Sequence, residues 1–215
     1  TEASNLLSFL IVDHLTGDKT AIELNLVGRH NAYSALTAFA IGRWLGIDSE
    51  KIADSLSDFK PQFMRQALLD MENQHVLVDC YNASEASVVG SAQSLRQMHV
   101  NEGGKRVFVF GDLTNRGSQS EALHRQIGED LASQTPIDLL VCYGQDSRVT
   151  AEVAASQGIE SFHTESLDEL VEYLKAHTAP GDAVAFKASR RMRLEQAVDA
   201  LYGTTLALGR SGLRV

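Results

Sequence analysis

The stretch Val76-Leu77-Val78-Asp79-Cys80-Tyr81-Asn82-Ala83-Ser84-Glu85-Ala86-Ser87 decides the fold of this chain. A short apolar run ends in an acid, a polar loop follows, and a helical pattern begins at Glu85. In α/β proteins a buried parallel strand delivers side chains in this way to the carboxyl edge of the sheet, where ligands bind. The stretch therefore predicts the first strand, loop and helix of an α/β domain.

The chain after this stretch repeats the same rhythm of strand and helix. Runs such as Val107-Phe108-Val109-Phe110 are apolar on both faces, which is typical of a parallel sheet covered by helices. We therefore predict an α/β fold, a Rossmann-like mostly parallel sheet with helices on both faces. Predicted strands cover residues 76–79, 107–110, 138–143, 160–163 and 183–187, with an edge strand from Thr204 to Leu208. Predicted helices cover residues 85–98, 119–132, 147–157, 166–176 and 190–201.

The beginning of the chain follows a different pattern. Residues 7–12 and 20–27 flank a turn-rich segment, and the alternation of the second run indicates a β-hairpin with one solvated face. Lys60-Pro61 breaks the helical pattern that follows the hairpin. We therefore place a domain boundary here, which divides the chain into residues 1–60 and 61–215.

Two helices are predicted between the hairpin and this boundary. Residues 32–45 are dense in Ala, Leu, Phe and Trp, so we expect a largely buried helix with Asn31 as its N-cap. A short helix over residues 50–56 follows, and either Asp48 or Ser49 can cap it.

Composition and charge exclude several classes of function. The 215-residue chain carries a net charge of −9, which argues against duplex nucleic acid as a partner. No apolar run approaches 18 residues, so we expect no membrane span. Cys80 and Cys142 lie in hydrophobic runs and are expected to stay reduced, which favours a cytoplasmic protein. We expect a monomer.

The sheet lacks the usual phosphate-binding motifs. Gly103-Gly104-Lys105 has neither the spacing of a phosphate loop nor a place after a strand. No Gly-x-Gly-x-x-Gly follows the first strand, and the seven histidines lack the spacing of metal ligands. We therefore predict no metal site from these residues.

Candidate site residues follow three of the predicted strands. Because the carboxyl ends of parallel strands meet at one edge, we expect these side chains to converge. They are Asp79 and Asn82, then Asp112, Arg116 and the following His124, and then Lys187, Ser189, Arg190 and Arg191. Two alternatives stay open: Asp79 can serve a helix cap, and Asn82 can form an Asx turn.

Two further candidates lie before the first of these strands. Gly28-Arg29-His30-Asn31 precedes a helix, whose free N–H groups and dipole favour polar or anionic ligand atoms. Arg65 follows the domain boundary and could clamp a phosphate between domains. The alternatives are that Asn31 only caps the helix and that both arginines are solvated.

Taken in order, these segments resemble the C-terminal part of the Mur ligase family. The resemblance covers about residues 20 to 202 and rests on the order and spacing of several segments. These are Gly28-Arg29-His30-Asn31, Phe59-Lys60-Pro61 with Arg65, Asp79-Cys80-Tyr81-Asn82-Ala83, Gly111-Asp112-Leu113 through Gly117 with His124, and Lys187-Ala188-Ser189-Arg190.

The resemblance implies a three-domain protein, of which this chain is one part. Residues 1–60 would be the hairpin-plus-helix end of a central ATPase domain, and residues 61–215 a whole C-terminal Rossmann-like domain. The implied reaction is an ATP-dependent amide ligation through an acyl-phosphate, with UDP-MurNAc-peptide and D-Ala-D-Ala as substrates. ATP and Mg²⁺ are the implied cofactors, and the magnesium ligands are expected in the absent part of the central domain. The chain alone is expected to be inactive.

The resemblance also implies roles for the candidate residues. Asn31 would contact the adenine, Arg65 the phosphates or ribose, and Asp79 the ribose. The implied cofactor-binding set is His30, Asn31, Arg65, Asp79 and Asn82. The implied catalytic set, near the incoming dipeptide and the reaction centre, is Asp112, His124, Lys187, Ser189 and Arg190.

The sequence departs from the family pattern at several positions. Ser84-Glu85 stands where Asn-Pro is usual, Thr114-Asn115-Arg116 puts a base where an acid is common, and Ala188 takes a glycine position. Two alternatives therefore stay open. One is a related amide ligase of the cyanophycin-synthetase or folylpolyglutamate type. The other is a non-catalytic domain, derived from the ligases, that binds a nucleotide or a partner.

Overall fold

The structure is a computed structural model that describes residues 7–61, 64–71, 74–134 and 136–206. It begins with an antiparallel hairpin of strands β1 (Leu7–Val12) and β2 (Lys19–Leu24), followed by helices α1 (Asn31–Trp44) and α2 (Ser49–Ser57). Of the two predicted caps of α2, the Asp48 carboxylate is the one observed: it accepts a hydrogen bond from the Glu50 backbone N–H at 2.9 Å. The second strand ends three residues earlier than predicted.

The prediction that α1 is largely buried is wrong. Its apolar residues surround the helix, but only a stripe of Ala35, Phe39 and Gly42 is buried against the hairpin and α2. Tyr33 and Trp44 are 76% and 84% exposed. Asn31 is also not the N-cap: it is the first helical residue, and its side chain donates to backbone and side-chain oxygens elsewhere.

The rest of the described chain is a six-stranded sheet flanked by helices, as predicted. The strands are β3 (Ala67–Met71), β4 (Gln74–Asp79), β5 (Arg106–Gly111), β6 (Leu139–Tyr143), β7 (Glu160–Thr164) and β8 (Ala183–Lys187). The helices are α3 (Glu85–Gln97), α4 (Ser120–Gln134), α5 (Ser147–Ser156), α6 (Leu167–His177) and α7 (Glu195–Tyr202), with 3-10 turns at Gly117–Gln119 and Arg190–Met192. The strand order is β3-β4-β8-β5-β6-β7, and only β3 runs antiparallel to its neighbour.

The two faces of the sheet are covered by different helices. Helices α3, α4 and α5 cover one face, through residues such as Leu95, Ile127 and Ala154. Helices α6 and α7 cover the other, through residues such as Leu174 and Val198. No helix among the described residues is long and apolar enough to cross a membrane.

The structure differs from the prediction at three elements. Strand β3 was not predicted, because its five residues precede the first long apolar run. The predicted helix over residues 190–201 is instead a 3-10 turn and α7, separated by Arg193 in a left-handed conformation with φ of 52°. The predicted edge strand is wrong over Thr204 to Leu206, where the Asp199 carboxylate accepts a hydrogen bond from the Leu206 N–H at 2.8 Å. Its last two residues lie outside the described residues.

Both cysteines are buried and have free thiols. Burial raises the pKa of each thiol, with the charge of Asp79 adding to the effect at Cys80 and that of Asp112 at Cys142.

We expect neither thiol to react with a disulfide reagent at pH 8 in the native chain and both to react in denaturant, because the thiolate is the nucleophile. Rapid labelling of either cysteine in the native chain would contradict this. Since the folded chain keeps both thiols protonated, their raised pKa also makes the free energy of unfolding depend on pH. Unfolded thiols ionise near pH 8.5, so we expect no effect of the thiols on stability below that pH and a loss of stability as the pH rises above it.

Candidate functional site

The carboxyl ends of β4 and β8 join two predicted site residues in a buried ion pair. Asp79 and Lys187 are register partners in the parallel sheet. Lys187 Nζ lies 2.8 Å from Asp79 Oδ2 and 2.7 Å from the Asn82 carbonyl oxygen, and Lys187 is only 2% exposed. A buried ammonium is tolerated only when it is paired and hydrogen-bonded. The pair therefore fixes the loop after β4 to the end of β8, while Asn82 itself is exposed.

At the end of β5, Asp112 holds the start of helix α5. Its carboxylate accepts hydrogen bonds from the backbone N–H groups of Ser147 at 2.7 Å and Asp146 at 3.1 Å. These are groups that the helix itself leaves without partners, and the positive end of the helix dipole favours the anion. The geometry thus gives Asp112 a structural contact at the site, and its catalytic role stays a prediction.

The imidazole of His124 is fully buried under the loop that follows β5. Its Nε2 accepts a hydrogen bond from the Leu113 N–H at 3.1 Å, and its Nδ1 donates to the Ser120 carbonyl oxygen at 2.8 Å. The ring also packs against Phe110, with centroids 5.8 Å apart. A general acid or base must reach the proton that it transfers. These contacts therefore favour a positioning role for His124, and its catalytic role stays a prediction.

The segment after β8 links two loops and presents a guanidinium. Ser189 Oγ accepts a hydrogen bond from the Thr114 N–H at 3.1 Å, which ties this segment to the loop after β5. Arg190 forms an ion pair with Glu195, whose side chain is only 1% exposed, while 45% of the Arg190 side chain remains exposed. Arg191 donates to the Asn115 side chain at 3.0 Å. Both arginines are held in place and reach solvent, but only Arg190 is held by a buried carboxylate.

A glutamine that sequence reasoning missed joins the N-terminal unit to the sheet. Asn31 Nδ2 donates to the Val27 carbonyl oxygen at 2.8 Å and to Gln66 Oε1 at 2.9 Å, which uses both of its amide protons. The Gln66 side chain also contacts His30 Nε2, at 3.0 to 3.2 Å. Asn31 can therefore offer only its Oδ1 acceptor to a ligand.

The backbone around Arg65 adopts a sparsely populated conformation. Met64 and Gln66 both have positive φ, of 52° and 54°, although neither is glycine. Such residues store strain and cluster at functional sites. Between them, the Arg65 guanidinium stacks on the Tyr81 ring, 3.9 Å from its centroid. This stack places Arg65 beside the loop that follows β4.

A cleft of about 700 Å³ opens between this junction and helix α3. His30 and Asp79 lie in its wall, with the first turn of α3 and with Glu85 and Asp130. Three carboxylates and one imidazole suit hydroxyl and amino groups better than phosphates. Of the predicted cofactor-binding set, the structure brings His30 and Asp79 into this cleft, whereas Asn31, Arg65 and Asn82 lie outside its lining.

Residues 64–190 match the model of the family described as Mur ligase, glutamate ligase domain. The chain belongs to the Mur ligase family. This finding confirms the resemblance inferred from the segments above. The matched residues run from the strained Met64 to Arg190, so the Mur ligase match includes the ends of β4, β5 and β8.

Curated relatives and solved structures agree with this assignment. The chain is 32% identical over 198 residues to the UDP-N-acetylmuramoyl-tripeptide–D-alanyl-D-alanine ligase of Bacillus subtilis, covering 90% of the chain and 42% of the relative. It is 33% identical to the Escherichia coli ligase of the same name, covering 83% and 38%. A crystal structure of MurF from Acinetobacter baumannii superposes with a TM-score of 0.77 at 27% identity, covering 93% of this chain and 43% of that one. The chain thus spans less than half the length of these Mur ligases.

Proposed function

We propose that this chain is the C-terminal part of an ATP-dependent ligase that joins D-Ala-D-Ala to a UDP-MurNAc-tripeptide through an acyl-phosphate. The observation that carries the proposal is the match of nine-tenths of the chain to a ligase whose name states the two substrates that are joined. Residues 1–60 would end the central ATPase domain and residues 61–215 would form the C-terminal domain. The whole protein would act in the cytoplasm as a monomer.

The uncovered face of α1 supports the idea that further protein packs on this unit. Tyr33, Ile41 and Trp44 are 76%, 52% and 84% exposed, and Leu45 beside them is 63% exposed. Contiguous apolar surface of this kind marks an interaction site more often than a solvated surface. The remaining part of a central domain is the occupant that the length of the relatives suggests.

The cleft beside Asp79 fits part of a nucleotide. The Asp79 carboxylate and the His30 imidazole offer hydrogen bonds to ribose hydroxyls and to a base, while the acidic lining disfavours the phosphates. When bound, ATP supplies the phosphoryl group that activates the carboxyl group of the muramoyl peptide. The described residues do not fit a magnesium site, because they contain no cluster of three or more metal-binding side chains. No step is therefore assigned to magnesium on this chain.

The contacts at the sheet edge suggest different roles for the cations in the acyl transfer. The attack of an amine on an acyl-phosphate builds negative charge, which a preorganised cation stabilises. The Lys187 charge is already neutralised by Asp79, whereas the Arg190 guanidinium is fixed by Glu195 and half exposed. Arg190 would therefore meet the developing charge, and Lys187 and Ser189 would hold the loops in place. Closure of the domain would exclude water from the acyl-phosphate.

We expect the isolated chain to release no phosphate from ATP with UDP-MurNAc-tripeptide and D-Ala-D-Ala, because most of the ATPase part is missing. Joined to the missing N-terminal part of the Bacillus subtilis relative, it should release phosphate and form the ligated product, measured by mass spectrometry. Arg190→Ala should then lower kcat by about 100-fold. Arg125→Ala removes an exposed arginine that pairs with Glu121 on α4, and it is the control that should leave kcat unchanged.

Three outcomes would contradict this proposal. Turnover by the isolated chain would show that it is not an incomplete part of the enzyme. Use of L-glutamate but not D-Ala-D-Ala by the chimera would indicate another ligase of the superfamily. Full activity of both Asp79→Ala and Arg65→Ala chimeras would show that the nucleotide roles are wrong.

A further inference from the structure

A second cleft, of about 420 Å³, lies on the other side of His30 and carries the opposite charge. It is lined by Gly28, Arg29, His30, Gln93, Arg96 and Gln97. None of these side chains is a carboxylate, whereas the cleft that contains Asp79 is lined by three. The two clefts share only His30 and Gln93. Their volume is in the range of small-molecule sites, about 300 to 1,000 Å³.

The two arginines of this second cleft have no partner in the described part of the chain. Neither the Arg29 nor the Arg96 side chain forms an ion pair or a hydrogen bond among residues 7–61, 64–71, 74–134 and 136–206. By contrast, two other exposed arginines pair with an acid one helical turn away: Arg125 with Glu121 at 3.4 Å and Arg148 with Glu152 at 3.7 Å. The chain has a net charge of −9, whereas two unpaired guanidinium groups give this cleft a local positive charge.

The backbone brings these two arginines together by a close approach of loop and helix. Gly28 has φ of +99°, and a Cβ atom there would lie 2.4 Å from Ser94 Oγ and 2.7 Å from the His30 ring. Only glycine fits, so the loop that carries Arg29 rests directly on α3. Gln93, Arg96 and Gln97 share one face of α3 by their spacing of three and four residues. The result is a wall of N–H donors on two elements.

The helix dipoles do not determine the sign of the electrostatic potential in this cleft. The positive end of α1 and the negative end of α3 both lie at the cleft, and each is worth about half a charge, so they oppose each other. The two guanidinium charges remain. Guanidinium groups and side-chain amides together match the tetrahedral oxygens of a phosphate group.

We propose that the cleft between Arg29 and Arg96 is a phosphate-binding site, separate from the cleft assigned to the ribose and base. Its ligand is a phosphoryl group, which can belong either to the tail of a nucleotide whose ribose lies beside Asp79 or to a separate phosphorylated molecule. The site goes beyond the proposed ligase activity, because it needs neither the missing domain nor turnover.

The test uses the 215-residue chain, with inorganic pyrophosphate as the probe at constant ionic strength. Isothermal titration should detect binding to the native chain, and Arg29→Ala/Arg96→Ala should weaken it by at least about tenfold, the effect of losing a charge-assisted hydrogen bond. Arg125→Ala/Arg148→Ala removes the same two charges elsewhere and should bind as the native chain does. All four side chains are exposed, so both double variants should fold.

The outcomes separate the site, its ligand and the proposed function. No binding of pyrophosphate, equal binding by all three proteins, or equal loss in both double variants would overturn the proposal. If the site exists, adding adenosine distinguishes the two sources of phosphate. Cooperative binding of adenosine and pyrophosphate indicates one nucleotide across both clefts, and independent binding indicates a separate phosphorylated ligand. A chimera without ligase activity would contradict the proposed function, but it would not change the result of the pyrophosphate titration.

Discussion

Replacing Lys187 by methionine is expected to lower the free energy of unfolding by about 3–5 kcal/mol. The substitution leaves the Asp79 carboxylate at the buried edge of the sheet without its cation, and the Asn82 carbonyl oxygen without its donor. Leaving one partner of a buried pair uncompensated costs far more than the pair contributes, because the desolvation of the remaining charge is no longer offset. Urea unfolding at pH 7, followed by circular dichroism, measures the loss.

Two further variants separate the ion pair from general effects of removing a lysine. Asp79→Asn/Lys187→Met removes both charges, so it should regain most of the stability that the single substitution loses. Lys105→Met removes an exposed lysine, whose side chain is 44% exposed and lies 3.8 Å from a 54% exposed Glu160. It should cost less than about 1 kcal/mol. Equal costs for Lys187→Met and Lys105→Met would show that the buried pair has no special weight.

Gly144→Ala is expected to destabilise the chain by at least about 3 kcal/mol. Gly144 has φ of +118°, where an alanine is strained, and its Cβ atom would lie 2.5 Å from the Asp112 carboxylate. The carboxylate must move, which breaks its hydrogen bonds to the N-terminus of α5. The unfolding midpoint in urea, compared with the native chain, measures this cost.

Gly117→Ala is the matched control for Gly144→Ala. Gly117 also has positive φ, +54°, but nothing lies within 4 Å of the Cβ position. Alanine there should cost only the backbone term of about 1 kcal/mol. If the two substitutions cost the same, the contact between position 144 and Asp112 contributes nothing. Gly144→Ala/Asp112→Ala should be less than additive, because the first change already displaces the carboxylate.

Most of the sheet could be predicted from the sequence, because buried parallel strands are continuous apolar runs. The runs that became β4, β5, β6 and β8 are of this kind. Strand β3 lies at the edge, and Asp70 interrupts its apolar residues, so it does not form a continuous apolar run. The burial of α1 could not be predicted either, since apolar residues on all sides of a helix do not tell which side is covered.

The candidate site was predictable in position but not in its contacts. The carboxyl ends of parallel strands meet, which is why Asp79 and Lys187 could be expected together. That they neutralise each other depends on the strand order, which places β8 next to β4. Gln66 could not be found, because its contact with Asn31 depends on positive φ at non-glycine residues. His124 was expected at a reaction centre. Its burial and its hydrogen bond from the Leu113 N–H could be seen only in the structure.

The position of β8 in the sheet affects how the chain folds during translation. Among the described residues this strand is the last in sequence, yet it lies between β4 and β5. A nascent chain that has not yet reached Ala183 can pair β3 with β4, and β5 with β6 and β7, but it cannot join these two halves. Until then both halves expose unpaired strand edges, which invite aggregation and chaperone binding. The site is therefore completed only after β8 has been synthesised, so a translation product that stops before Ala183 lacks it.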